Sequence, residues 1–425
     1  MNQNKFLIFI TILILFIAGF NGFLIEENLL KINRSILSLI LDGSILLIGI
    51  LSIQKARQIG HLIIILLAFL ITTLISYLLN YRDLSAILFF NGLREFIPYF
   101  FFPIIFINFF QSSQRINFIK KFNVFLYIFL IIQIPVSLYQ FSIDGAGDSV
   151  GGTQGNGFSG NLTIIVFLAT YYLMVQDFDE KNIIVSFLKK SYLLIFWLPA
   201  FINETKISFV FIIVFFILLN KISYSNVYKY IVMFLILIPF LLIFNSIYEK
   251  TTSNSINNDF LNEDFLVEYL ASDDEIYQDI PRFQKIAIYL AMVNTKDAII
   301  GKGIGQFKGG TTVNLTPFAE QYYWLLSGSV AMFFFLFVQT GIIGTVLFIF
   351  YWIRLIITQE NKNRTGYAVN IIIFATFSFI VIQFYNVSFR SLFFCGIIMY
   401  SVCYAIFQKK SHKVRIIDSN SKFKY

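Results

Sequence analysis

Apolar runs of roughly 15 to 25 residues, parted by short polar stretches, repeat along nearly the whole chain. Each run matches the ~20 residues a helix needs to cross a ~30 Å hydrocarbon core. The pattern predicts twelve spans, approximately Phe6–Phe23, Ile36–Ile53, Leu62–Leu79, Phe96–Phe110, Phe122–Phe141, Leu162–Val175, Tyr192–Ile202, Ile207–Leu219, Ile231–Ile247, Met332–Ile356, Tyr367–Phe384 and Leu392–Phe407. The seventh and eighth are short. One long polar segment, Tyr248 to Phe318, interrupts the series, so the chain divides into helices over 1–247, a large loop over 248–318, helices over 319–407 and a basic tail over 408–425.

Composition agrees with this all-α, polytopic reading: 57% of residues are hydrophobic and 13% charged, too few to coat a water-soluble surface. Lys5 before an apolar run has the look of a signal peptide. Asn21 to Glu27 lacks a small-x-small cleavage site, however, and a retained first helix is expected. With a cytoplasmic N-terminus, twenty basic residues fall on inner segments and six on short outer loops (Lys31, Arg34, Arg82, Arg94, Lys206 and Arg390). The positive-inside rule thus puts the long loop outside, and the formal charge of +8 reflects inner loops facing anionic lipid rather than a nucleic-acid partner. Cys395 and Cys403 share the last span, where they read as packing residues. No internal repeat is visible, which weighs against transporters built from two related halves.

Polar residues on the outer face carry the candidate chemistry. Asp144 to Gly160 is rich in glycine, and Asp144, Asp148, Thr153, Gln154 and Asn156 offer hydrogen bonds to sugar hydroxyls; the same composition also describes a flexible connection. Asn203-Glu-Thr-Lys206 joins two short spans, so Lys206 is either a desolvated cation in a recess or a snorkelling side chain paired with Glu204. Asp279-Ile-Pro-Arg282 predicts a helix start, which gives Arg282 a place for an anion or for the acidic run at 273–275. Gly301-Lys-Gly-Ile-Gly305 lacks a nucleotide P-loop ending and reads as a tight turn back to the membrane. Glu320, Tyr322 and Tyr323 stand at the start of the tenth span, where tyrosine suits the interface and the carboxylate asks for a reason. Arg94-Glu95 reads as an internal ion pair or a phosphate contact, Arg390 as a phosphate contact or an anchor, and Asp42 has no visible partner.

Taken in order, these segments resemble a known family. Val150-Gly-Gly-Thr153 looks like its Gly-Thr loop, and Thr205-Lys206 like its Ser/Thr-Arg pair. Arg282 followed by Gly301-x-Gly-x-Gly305-x-Phe307 resembles its external-loop segment, and Glu320 through Gly344 its (H/E)xxYL…GxxG helix start. The family is the O-antigen ligase/polymerase superfamily, and the resemblance spans roughly 140–351. It implies a GT-C-like membrane glycosyltransferase of the bacterial cytoplasmic membrane, without metal or other cofactor, acting on undecaprenyl-diphosphate-linked oligosaccharide in the lipid bilayer, with a chain-length regulator as a further partner. Ligases of the family carry a histidine where this chain has Glu320, and His61 and His412 are predicted inside, so the polymerase (Wzy-type) branch is the expectation.

Charge then suggests roles. Lipid diphosphate leaving an anomeric carbon needs cations, for which Arg282 and Lys206 are expected, with Glu320 as general base and inversion as the outcome of in-line attack. Expected substrate contacts are Asp148, Thr153, Asn156, Gly301, Gly303, Gly305, Tyr322, Tyr323, Arg94 and Arg390. Rival expectations are a lipid-linked oligosaccharide flippase, a ligase and a non-catalytic scaffold.

Overall fold

The computed structural model describes residues 3–27, 29, 31–53, 59–145, 147–176, 183–203, 205, 207–219, 282–308, 315–326, 330–357 and 366–408. Within them the chain is helical, with no strand. The helices are α1 (Gln3–Glu26), α2 (Arg34–Ile53), α3 (Gly60–Leu79), α4 (Ala86–Arg94), α5 (Ile97–Gln111), α6 (Arg115–Asp144), α7 (Ser159–Val175), α8 (Ile183–Lys190), α9 (Leu198–Ile202), α10 (Ile207–Leu219), α11 (Arg282–Met292), α12 (Thr295–Ile300), α13 (Pro317–Tyr322), α14 (Met332–Ile357), α15 (Gly366–Tyr385) and α16 (Leu392–Phe407).

Six of these (α1, α2, α3, α6, α14 and α15) are long and apolar enough to cross a membrane, and α4 with α5 forms a pair bent by 43° that makes a seventh. The shorter apolar helices α7, α10 and α16 coincide with the sixth, eighth and twelfth expected spans. The seventh differs from expectation: Ser191–Trp197 is a 3-10 segment, followed by the five-residue α9. Pro199 sits in the first turn of α9, where its missing N–H and fixed φ suit a helix start and not a continuing helix. The ninth span, at 231–247, and the tail beyond Gln408 lie outside the described residues.

Burial sorts the helices into two shells. Helices α5, α7 and α16 are buried along nearly their whole length and are apolar all round, as central helices are. Helices α2 and α3 instead expose Leu39, Ile40, Leu47, Ile64, Leu67 and Ile71. An apolar outer wall of this extent is matched by lipid, and a multi-pass membrane protein is compatible with it.

Aromatic side chains build the centre. Tyr99 stacks on Phe348 at 3.8 Å and donates to the Phe348 carbonyl at 2.8 Å; Tyr351 donates to the Phe100 carbonyl at 2.6 Å. These reciprocal bonds pin α5 to α14. Nearer the opposite end, Tyr400 stacks on Phe122 at 3.4 Å and its hydroxyl lies 2.9 Å from that of Tyr172, which in turn donates to Asn123 Oδ1 at 2.9 Å. At that end Lys190 donates to the Leu173 and Met174 carbonyls (3.2 and 3.1 Å), closing the C-terminus of α7 as a cation favours.

One span is broken. Inside α14, Gly341 adopts φ 64° and ψ −170°, so the ladder is interrupted. The segment after α12 fills the gap, with Lys302 N–H donating to the Val338 carbonyl (2.9 Å), Gly303 N–H to the Gln339 carbonyl (3.0 Å) and Gly305 N–H to Gln339 Oε1 (2.9 Å). Backbone must approach backbone closely here: a Cβ on Gly305, at φ 92°, would lie 2.0 Å from the Leu88 carbonyl oxygen of α4.

Candidate functional site

A cavity of about 1010 Å³ opens where the N-terminal part of α2, the α4–α5 bend, the segment before α7, the turn after α9 and the loop from α15 to α16 converge. Apart from Asp42, two turns into α2, and residues of α1, these are the segments that the basic-residue count places on one side of the membrane.

Its charged wall starts at the bend. Successive residues on a helix point about 100° apart and do not face each other. Arg94, the last residue of α4, and Glu95, its C-cap, therefore take different partners, and the expected Arg94–Glu95 pair does not form. Arg94 Nε lies 3.1 Å from Asp42 Oδ2, at an angle that makes no hydrogen bond. Asp42 thus has the partner the sequence did not show, and Ser38, one turn earlier on α2, donates to the same oxygen at 3.2 Å. Glu95 instead receives Arg390 in a two-pronged contact (Nε to Oε2 3.0 Å, Nη2 to Oε1 2.8 Å) and Lys308 at Oε1. Arg390 also sits 4.6 Å over the Phe335 ring. Burial pushes the Lys308 ammonium below the usual lysine range, and Arg390 and Arg94 push the same way against the pull of Glu95.

Four cations, Arg34, Arg94, Lys308 and Arg390, line the cavity against three carboxylates, Asp42, Glu95 and Asp148. The balance before any ligand enters is therefore positive. Arg34 is the most exposed of the four, 3.7 Å from Glu26 and 5.4 Å from the Phe158 ring centre. The cavity also has a neutral polar lining. Asn203 donates to the Ser159 carbonyl and to Thr163 Oγ1 (both 3.0 Å), Thr205 donates to Asn203 Oδ1 at 2.6 Å, and Asn386 donates to Asn161 Oδ1 at 3.1 Å. Buried Gln154, beside them, leaves its amide nitrogen without a hydrogen bond. Amide and hydroxyl groups at fixed positions are the chemistry that reads sugar hydroxyls.

The glycine-rich segment before α7 is held firmly. Thr153 donates to the Gly19 carbonyl (2.6 Å) and accepts from Gln133 Nε2 (2.7 Å), while Gln133 Oε1 accepts Thr153 N–H (2.9 Å). Gln140 brackets Gly152 on both sides, Nε2 to its carbonyl at 3.0 Å and Oε1 from its N–H at 2.7 Å. Buried Thr153 is thereby committed to packing, and exposed Asn156 offers its N–H to Glu26 at 2.8 Å without lining the cavity. Asp148 does line it, accepting from Ser159 Oγ at 2.5 Å.

Of the residues expected from sequence, the cavity gathers Arg94, Arg390, Asp148 and Gln154. Gly301, Gly303 and Gly305 serve the junction with α14 and do not line it. Glu320 is exposed on α13 and does not line the cavity, and Tyr322 packs 4.9 Å from the Phe318 ring. Lys206 lies outside the described residues. So do the side chains of Arg282, which begins α11, and of Tyr323. Sequence reasoning missed Lys308 and passed over Arg34 as a topology marker; the one signal for Lys308 is its place three residues beyond a glycine cluster. Among the described residues no group of three or more His, Cys, Asp or Glu is spaced to hold a metal ion.

Comparison with protein-family models, with curated proteins and with solved structures finds no match.

Proposed function

We propose that this protein is an O-antigen or capsular polysaccharide polymerase, a GT-C-like glycosyltransferase of twelve spans. It would join undecaprenyl-diphosphate-linked repeat units at the outer leaflet of the bacterial cytoplasmic membrane. The observation that carries the reading is that one cavity is lined by four cations and by hydrogen-bonded amides. A diphosphate headgroup brings negative charge and its glycan brings hydroxyls, and the cations and amides complement them in turn.

In this reading a hydroxyl of the acceptor glycan attacks the anomeric carbon of the donor. The new carbon–oxygen bond forms as the bond to the diphosphate breaks, and the electron pair leaves with the lipid diphosphate. Arg94, Arg390 and Lys308 stabilise that departing charge, and Glu95 holds two of them at a fixed spacing. Preorganised cations are effective because they need not reorganise during reaction.

The test replaces the native copy with Arg94→Ala or Arg390→Ala at equal membrane abundance and reads the surface glycan ladder. Extension is expected to fall by about 100-fold or more, leaving single repeat units. An unchanged ladder overturns the reading, and loss of even the single unit from the surface favours a flippase.

A further inference from the structure

The three cavity carboxylates differ in what their oxygens do. Glu95 spends both on Arg390 and Lys308. Asp148 is exposed and accepts from Ser159. Asp42 is buried, two turns or about 12 Å along α2 from Arg34. Its Oδ2 takes both Arg94 and Ser38, whereas its Oδ1 has no hydrogen bond or ion pair with a described residue and is not among the enclosed atoms. Asp42 lines the cavity.

We propose that Asp42 is the general base of the glycosyl transfer, with Oδ1 accepting the proton of the attacking sugar hydroxyl. The inference rests on the polymerase reading above and adds the group that reading leaves open. The geometry supplies what a base requires: a cavity-lining carboxylate held through one oxygen by a hydrogen bond from Ser38 and an ion pair with Arg94, with its other oxygen unengaged. Arg94 links the two halves of the reaction. Its Nε is turned to Asp42, and its terminal nitrogens make no hydrogen bond with a described residue, which leaves them to the departing diphosphate. The proton passes from hydroxyl to Asp42 as the sugar–oxygen bond forms, and returns to water through the cavity once the glycan has moved on. A charged carboxylate within a span is otherwise a costly feature, and function is the usual reason for one.

The test uses full-length protein in phosphatidylethanolamine and phosphatidylglycerol vesicles, with lipid-linked repeat units extracted from cells lacking this protein as substrate. Asp42→Asn is expected to lower turnover by about 100-fold or more while KM stays within about two-fold. Asp42→Glu should keep part of the rate, and added formate should restore part of the rate of Asp42→Ala, which a carboxylate needed only for packing would not show. Wild-type turnover in Asp42→Asn overturns the inference, as does a loss that neither Asp42→Glu nor formate relieves. A wild-type protein that extends nothing under these conditions overturns the polymerase reading itself.

Discussion

Four tyrosines of the aromatic centre and the polar groups of the cavity wall are engaged differently. In the centre, Tyr99 and Tyr351 find carbonyls on each other's helices, and Tyr172 and Tyr400 meet hydroxyl to hydroxyl. In the cavity, Arg94 Nε and Gln154 Nε2 lack hydrogen bonds, and Asp42 keeps one oxygen unengaged. A polar group satisfied by its own chain specifies packing. One left over at the wall of a cavity is held ready for something that arrives.

The sharpest way to break this contrast is at the junction that delivers Lys308. Gly305→Val puts a branched side chain where a Cβ alone meets the Leu88 carbonyl at 2.0 Å, on backbone at φ 92°. The expected cost exceeds about 4 kcal/mol, read as loss of folded protein from the membrane in a thermal solubility assay. A milder change concerns pH. The Lys308 ammonium titrates below the usual lysine range, so the part of the rate that depends on its charge is lost as pH rises through that lowered value. Lys308→Arg should move the alkaline loss upward, measured as extension rate against pH. The smallest effect belongs to the centre. Tyr351→Phe removes one buried donor and should cost about 1 kcal/mol in melting of the purified protein, with the extension rate unchanged.

Much of the fold was legible because a span must be continuously apolar, and α1, α2, α3, α6, α14 and α15 lie where hydropathy expects them. The segment Tyr192–Ile202 was harder, since an apolar run does not reveal that Ser191–Trp197 winds as a tighter 3-10 helix ahead of Pro199. The site was legible by face but not by partner. Arg94, Arg390 and Asp148 were named from outer-loop position alone. That Arg94 belongs with Asp42, and Glu95 with Arg390 and Lys308, depends on contacts across 52, 295 and 213 residues of sequence, which periodicity does not encode. Adjacent charges misled because neighbours in a helix diverge. Thr153 misled because a hydroxyl suited to sugar is equally suited to Gly19 and Gln133.

The broken span has a consequence for how the chain is made. A nascent α14 that entered lipid alone would carry the Val338 and Gln339 carbonyls past Gly341 without their usual donors, at several kcal/mol for each unsatisfied group. The missing donors are the N–H groups of Lys302 and Gly303, which precede α14 in the sequence. Translation therefore supplies the clasp before the helix that needs it, and the order of synthesis already matches the order in which the junction can close.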